Sequence, residues 1–172
     1  HDISGITFNN LEVAGTSNSV LNFQNASATV NGNLNIYDSF GCNVNNLTVA
    51  VYGNVSTSGS NGGCLGNAIV NFVGSTNTTF SSSSLNTNSY FPSGSITINK
   101  PTATLTLLGK FNPNSAGQSV NLVAGTVNLN GQLMYTKGLS LNGNTINLSG
   151  GTLYVNGVSI TDGSAYGGIV AP

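Results

Sequence analysis

Apolar and polar side chains alternate with period two through most of this chain. Ala28, Val30, Leu34 and Ile36 alternate with Thr29, Asn31, Asn33 and Asn35, and Gly32 falls in phase with the apolar set. The figure returns at Leu47-Val49-Val51-Gly53-Val55, at Ala68-Val70-Phe72-Gly74, at Ala103-Leu105-Leu107-Gly109-Phe111 and at Val127-Leu129-Gly131-Leu133-Tyr135. Such alternation sends one face of a strand into a core and the other into solvent. No window carries the i, i+3, i+4 spacing of an amphipathic helix. The predicted class is all-β.

The glycines share the apolar phase. A hairpin at Asn130-Gly131 would pair Leu129 with Gln132 and Asn128 with Leu133, mixing apolar and polar on each face. Strands of about nine residues that run through the glycine keep the faces pure, with the inward Gly marking a kink or a close approach. Asn156-Gly157 is different, because a tight turn there pairs Val155 with Val158 and Leu153 with Ile160.

Two architectures fit these strands. Gly32, Gly53 and Gly74 are 21 apart and Gly109 and Gly131 are 22 apart, the rung length of a β-solenoid. The interval then jumps to 35 between Gly74 and Gly109, and nine residues is long for a solenoid strand. Long strands with turn signals every 8–12 residues or so suit an Ig-like or pilin-like β-sandwich. The sandwich is the leading expectation and the solenoid the alternative. The polar stretch from Thr79 to Gly94 reads as a loop between two halves of one domain. Residues 1–14 read as a separate apolar N-terminal strand, followed by the break Gly15-Thr16-Ser17-Asn18-Ser19. Residues 15–172 then form the head.

Charge changes the picture more than length does. Asp2, Glu12, Asp38 and Asp162 are the only acids and Lys100, Lys110 and Lys137 the only strong bases, 4% against a usual ~25%. The polar surface falls instead to 28 Asn, 22 Ser and 18 Thr. Three scattered lysines cannot assemble a nucleic-acid site. No apolar run reaches the ~20 residues needed to span a membrane. His1 follows no signal-peptide pattern, so the expectation is an exported chain whose signal peptide has been removed. In that setting Cys42 and Cys64 pair as a disulfide by default, closing about 22 residues and contributing roughly 3 kcal/mol. On a solenoid they fall at nearly equivalent places on adjacent rungs. The alternative is two buried free thiols.

Catalytic chemistry is hard to find. General acid–base work needs paired carboxylates or a positioned histidine, and the four acids are scattered. No GxSxG elbow or Gly-rich phosphate loop occurs. His1 could offer a copper site its amino group and ring, but no second histidine completes the set. The chain is expected not to be an enzyme and to need no cofactor or metal. An isopeptide bond from Lys100, Lys110 or Lys137 to an asparagine, assisted by Asp38 or Asp162, is conceivable; solvated surface lysines are the simpler expectation. N-glycosylation sequons stand at Asn25, Asn46, Asn54, Asn77 and Asn147.

Near-absence of charge, the Asn/Ser/Thr/Gly surface and the apolar N-terminal strand with its break together resemble the thread subunits of thermoacidophilic archaea. Those are pilin-like, glycosylated β-sandwich proteins joined by donor-strand complementation. The long apolar helix of type IV pilins has no counterpart here, since residues 1–17 contain Gly5, Gly15 and a β pattern. The resemblance implies a cell-surface filament, a linear homopolymer of identical subunits with covalent N-glycans, supporting adhesion. Ile3, Ile6, Phe8, Leu11 and Val13 would then form the donor strand; the competing expectation is that residues 3–13 fold back into their own domain as an ordinary first strand. The other functional expectation is a secreted glycan-binding adhesin of solenoid or sandwich type. Without Trp, its stacking platforms would be Tyr52, Tyr90, Tyr135, Tyr154 or Tyr166.

Overall fold

A computed structural model of the chain describes residues 5–15, 20–38, 43–59, 68–83, 94–111, 119–155, 160–161 and 168–170. The described residues contain no helix, and every strand pair among them is parallel. The architecture is a parallel β-solenoid of about five turns. The alternative expectation holds, and the β-sandwich is corrected. A Greek-key sandwich needs antiparallel partners, whereas each strand here pairs with its counterpart one turn away.

Strands β1 (Ile6–Phe8), β3 (Val20–Val30), β5 (Asn43–Val51) and β7 (Ile69–Val73) stack along one face. Strands β2 (Leu11–Gly15), β4 (Leu34–Asp38), β6 (Val55–Gly59) and β8 (Thr78–Ser82) stack along a second. Strand β9 (Ile96–Leu107) joins both faces, and β10 (Ser119–Asn128) follows it along its length. Beyond them, β12 (Gly138–Ser140) leads to β15 (Ile160–Thr161), and β13 (Thr145–Asn147) leads to β16 (Gly168–Val170). A third face consists of β11 (Leu133–Thr136) on β14 (Thr152–Val155), with Phe111 bridging to Met134.

Parallel stacking turns the sequence alternation into columns of like side chains. Ala28, Val49, Val70, Ile96, Val120 and Leu139 lie one above another, all buried. Val30, Val51, Phe72, Ile98 and Leu122 make a second buried column. Each Val, Leu, Ile or Phe in these columns contributes roughly 1.5–3 kcal/mol by leaving water. The columns merge into one core.

The expected nine-residue strands running through glycine do not form, because each breaks at a corner or turn: β3 ends at Val30 and β4 begins at Leu34, with Gly32 between them. Gly53 shows why the corner takes glycine: a Cβ there would run into the backbone carbonyl of Gly32 on the previous turn. The uneven interval of 35 also has an explanation. Gly32, Gly53 and Gly74 occupy the corner between the first two faces, whereas Gly109 and Gly131 lie at the far end of the second face. A Cβ at Gly109 would meet Ser82 at 2.5 Å, and the counterpart of Gly74 in the next turn is the Pro101-Thr102 bend, with Thr102 at φ 63°. The 21- and 22-residue glycine intervals therefore mark two different corners.

Other expectations shift as well. Asn130-Gly131 is a tight turn after all, with φ of 49° and 75° and a Gln132 N–H donating to Leu129 O at 2.8 Å. It joins strands on two faces instead of making a hairpin. The turn reverses the phase, so Met134 and Thr136 point inward and Tyr135 outward. Leu153 pairs in parallel with Met134 and Ile160 with Leu139, which replaces the hairpin expected at Asn156-Gly157. The polar stretch from Thr79 begins inside β8, with Thr78 and Phe80 buried, and its residues 84–93 lie outside the described set.

Candidate functional site

The N-terminal strand forms the first turn of the solenoid. β1 pairs with β3 and β2 with β4, in one sheet with the rest. Val13 is buried, Phe8 and Leu11 pack half-buried against the core, and Ile6 is 37% exposed. Ile3 lies outside the described residues. So do both cysteines, Cys42 and Cys64, and Tyr90 and Tyr166.

The sequons distribute unevenly. Asn25 and Asn46 fall where the β3–β5 ladder shifts register between Asn22 and Ala26. Asn147 is half-buried, and its Oδ1 accepts from the Ser149 N–H at 3.2 Å and the Ser149 hydroxyl at 3.0 Å. Asn54 and Asn77 are exposed at the corner between the first two faces.

That corner carries an asparagine ladder. Asn10 Oδ1 accepts from the Asn33 N–H at 2.8 Å, and Asn33 Oδ1 accepts from the Asn54 N–H at 3.1 Å. Asn54 Oδ1 accepts from the Thr79 N–H at 2.9 Å and from its hydroxyl at 3.1 Å, and Asn77 Oδ1 accepts from the Thr104 N–H at 2.9 Å. A backbone turning a corner loses its regular ladder partners, and the carboxamides supply acceptors in their place. The spacing of Asn10, Asn33 and Asn54, at 23 and 21 residues, was the sequence signal for this ladder.

Aromatic rings decorate the outside. Tyr52, 45% exposed, turns a ring edge toward Gly74, where a Cβ would meet its Cδ1 at 2.8 Å. Gly74 has φ 90°, so a side chain there would be strained as well as obstructed. Tyr135 and Tyr154 stack with centroids 4.9 Å apart and planes at 14°, and Tyr154 is 52% exposed.

Lys100 departs from the surface position expected of it. Its side chain is buried in the core, and its ammonium donates to the Val73 carbonyl oxygen. Burial pushes its pKa below the usual lysine range. Lys110 is half-buried and Lys137 exposed. Thr78 Oγ1 is a buried hydroxyl without a hydrogen-bond partner among the described residues. No group of three or more His, Cys, Asp or Glu that could hold a metal ion occurs among the described residues. No helix among them is long and apolar enough to cross a membrane.

The fold and its outer surface define a parallel β-solenoid with an amide-lined corner and exposed tyrosines. No family model, curated protein or solved structure matches the chain.

Proposed function

We propose that this chain is a non-catalytic structural subunit of an extracellular surface filament, joined head to tail by donor-strand complementation and supporting adhesion. The observation that carries this reading is the pairing of residues 6–15. Among the described residues, β1 pairs with β3 alone and β2 with β4 alone. A turn attached through one edge can make the same contacts with β3 and β4 of a second copy. Docking within a chain and docking between chains then exchange identical interactions, the logic of a domain swap, and a head-to-tail exchange that does not close propagates a fibre. The connecting residues 16–19, Thr-Ser-Asn-Ser, include no apolar side chain.

Charge supports the same reading. Exposed sheet edges are usually blunted with charged side chains, and Glu12 is the one charged residue between Gly5 and Gly15. Strand addition to such an edge supplies ladder hydrogen bonds and buries alternate side chains. The donor set is Ile6, Phe8, Leu11 and Val13, with Ile3 preceding them. The β-sandwich of the thread subunits does not carry over to this solenoid; the mode of joining is what the proposal keeps. Covalent N-glycans and a Cys42–Cys64 bridge belong to the same extracellular setting.

Deleting residues 1–14 tests it. Full-length protein forms long thin fibres in negative-stain micrographs, while the truncated protein forms none alone and takes up a synthetic peptide of residues 1–14. Native fibres from the truncated protein, or only discrete particles from the full-length chain, would overturn the reading.

A further inference from the structure

We propose that Asn54 is a glycosylated position at which the first sugar lies on the ring of Tyr52. The inference rests on the extracellular part of the reading above, and goes beyond it in assigning a modification site and its packing partner.

Three observations converge on one corner. Asn54 begins the sequon Asn54-Val55-Ser56 and follows Tyr52 by two residues in the turn between β5 and β6. Both side chains reach toward the same next turn of the solenoid: the Tyr52 ring edge to Gly74, and Asn54 Oδ1 to Thr79. Gly74 leaves room for the Cδ1 edge of the ring, and Tyr52 is 45% exposed. The exposed part of the ring is apolar surface that a sugar can cover.

The ladder also fixes which atom is available. Asn54 Oδ1 is engaged by Thr79, so Nδ2 is the amide atom free to carry a substituent. Transfer forms the Nδ2–C1 bond and breaks the bond from sugar C1 to the phosphate of a lipid-linked donor. The phosphate carrier leaves with the electron pair, and the Nδ2 proton passes to a base of the transferring enzyme. No oxidant or reductant is required. Sugar C–H groups carry partial positive charge and meet the electron-rich face of the ring.

Asn46, Asn77 and Asn147 lack an aromatic side chain two residues before them. Asn77 has Ser75 two residues before it, and Asn147 is half-buried with its Oδ1 turned to its own Ser149. Asn25 follows Phe23 at the same interval, in a part of β3 whose side chains are outside the description.

The test uses full-length chain secreted from a host that glycosylates Asn-X-Ser/Thr sequons, as wild type, Tyr52→Phe and Tyr52→Ala. Peptide mapping reads occupancy at Asn54, and thermal melts compare each protein before and after enzymatic deglycosylation. Asn54 is expected to be occupied. Deglycosylation should lower the midpoint equally in wild type and Tyr52→Phe, and at most half as much in Tyr52→Ala. Contributions from other sequons cancel in that comparison. An unoccupied Asn54, or an equal drop in all three proteins, overturns the proposal. Fibre formation is read separately by microscopy, so failure of the filament reading leaves this result standing.

Discussion

The Lys100 ammonium donates a hydrogen bond of 3.0 Å to the Val73 carbonyl oxygen while its side chain is 0% exposed. Val73 immediately precedes Gly74, and Lys100 immediately precedes the Pro101-Thr102 bend, so the pair braces the same corner of two successive turns.

Burial with no acidic partner among the described residues makes this lysine a liability when charged. The folded chain releases the Lys100 proton at lower pH than the unfolded chain, whose value is 10.5. Between the folded pKa and 10.5 the unfolded state holds more protons, so stability rises with pH across that window. Lys100→Met should therefore raise the unfolding midpoint at neutral pH, by about 2–4 °C for ~1 kcal/mol in a domain of this size. The gain should shrink above pH 10.5, where the lysine is neutral in both states. A midpoint that falls at neutral pH, or a gain that grows with alkalinity, contradicts the assignment.

The asparagine ladder has a measurable share in stability. Asn33→Ala removes the acceptor for the Asn54 N–H, a loss of roughly 0.5–1.5 kcal/mol. Asn31→Ala, at an exposed neighbouring position, should stay within about 0.5 kcal/mol of wild type. Chemical denaturation of both variants compares them directly, and equal effects would deny the ladder its role.

Gly53 and Gly131 are glycines for different reasons. Gly53→Ala drives a methyl group into the Gly32 carbonyl, so the turns must separate; a loss above ~2 kcal/mol or failure to fold is expected. Gly131 has φ 75° and open space around it, so Gly131→Ala should cost only about 1–2 kcal/mol of backbone strain. A Gly53→Ala protein as stable as Gly131→Ala would be inconsistent with the corner packing.

Asp38 and Gly59 pair across adjacent turns, and the cysteines follow them by four and five residues. Cys42 and Cys64 are therefore expected to be bonded in protein folded under oxidising conditions. Thiol titration of the denatured, unreduced chain should find none free, and reduction should lower the thermal midpoint. Two titratable thiols per chain would end that expectation.

Few groups link this fold to acid. Four carboxylates leave few native pKa shifts to be lost between neutral pH and pH 2, so the unfolding midpoint should fall far less than in an average domain. Circular-dichroism melts at pH 2 and pH 7 give the comparison. A difference of tens of degrees would show that proton linkage is not small here.

Period-two alternation was enough to establish strands, their inward residues from Ala28 to Ile36 and from Ala68 to Phe72, and glycine at the bends. These follow from local geometry, because a strand shows alternate sides whatever it pairs with. The sequence also contained the rung length, but not the fact that Gly74 and Gly109 belong to different corners. Pairing direction was decided only in three dimensions, since a column such as Val49-Val70-Ile96 forms from residues 21 and 26 apart whose alternation suits parallel and antiparallel partners equally. Lys100 stands on the inward phase of Ile96 and Ile98, so alternation alone points it into the core, while the Val73 carbonyl that receives its ammonium comes from the preceding turn. Tyr52 and the Gly74 at its ring edge come from different turns, brought together by stacking alone. Composition and alternation set the class of structure and its uncharged surface; long-range parallel stacking, which brings together residues about a turn apart, decided what each side chain meets.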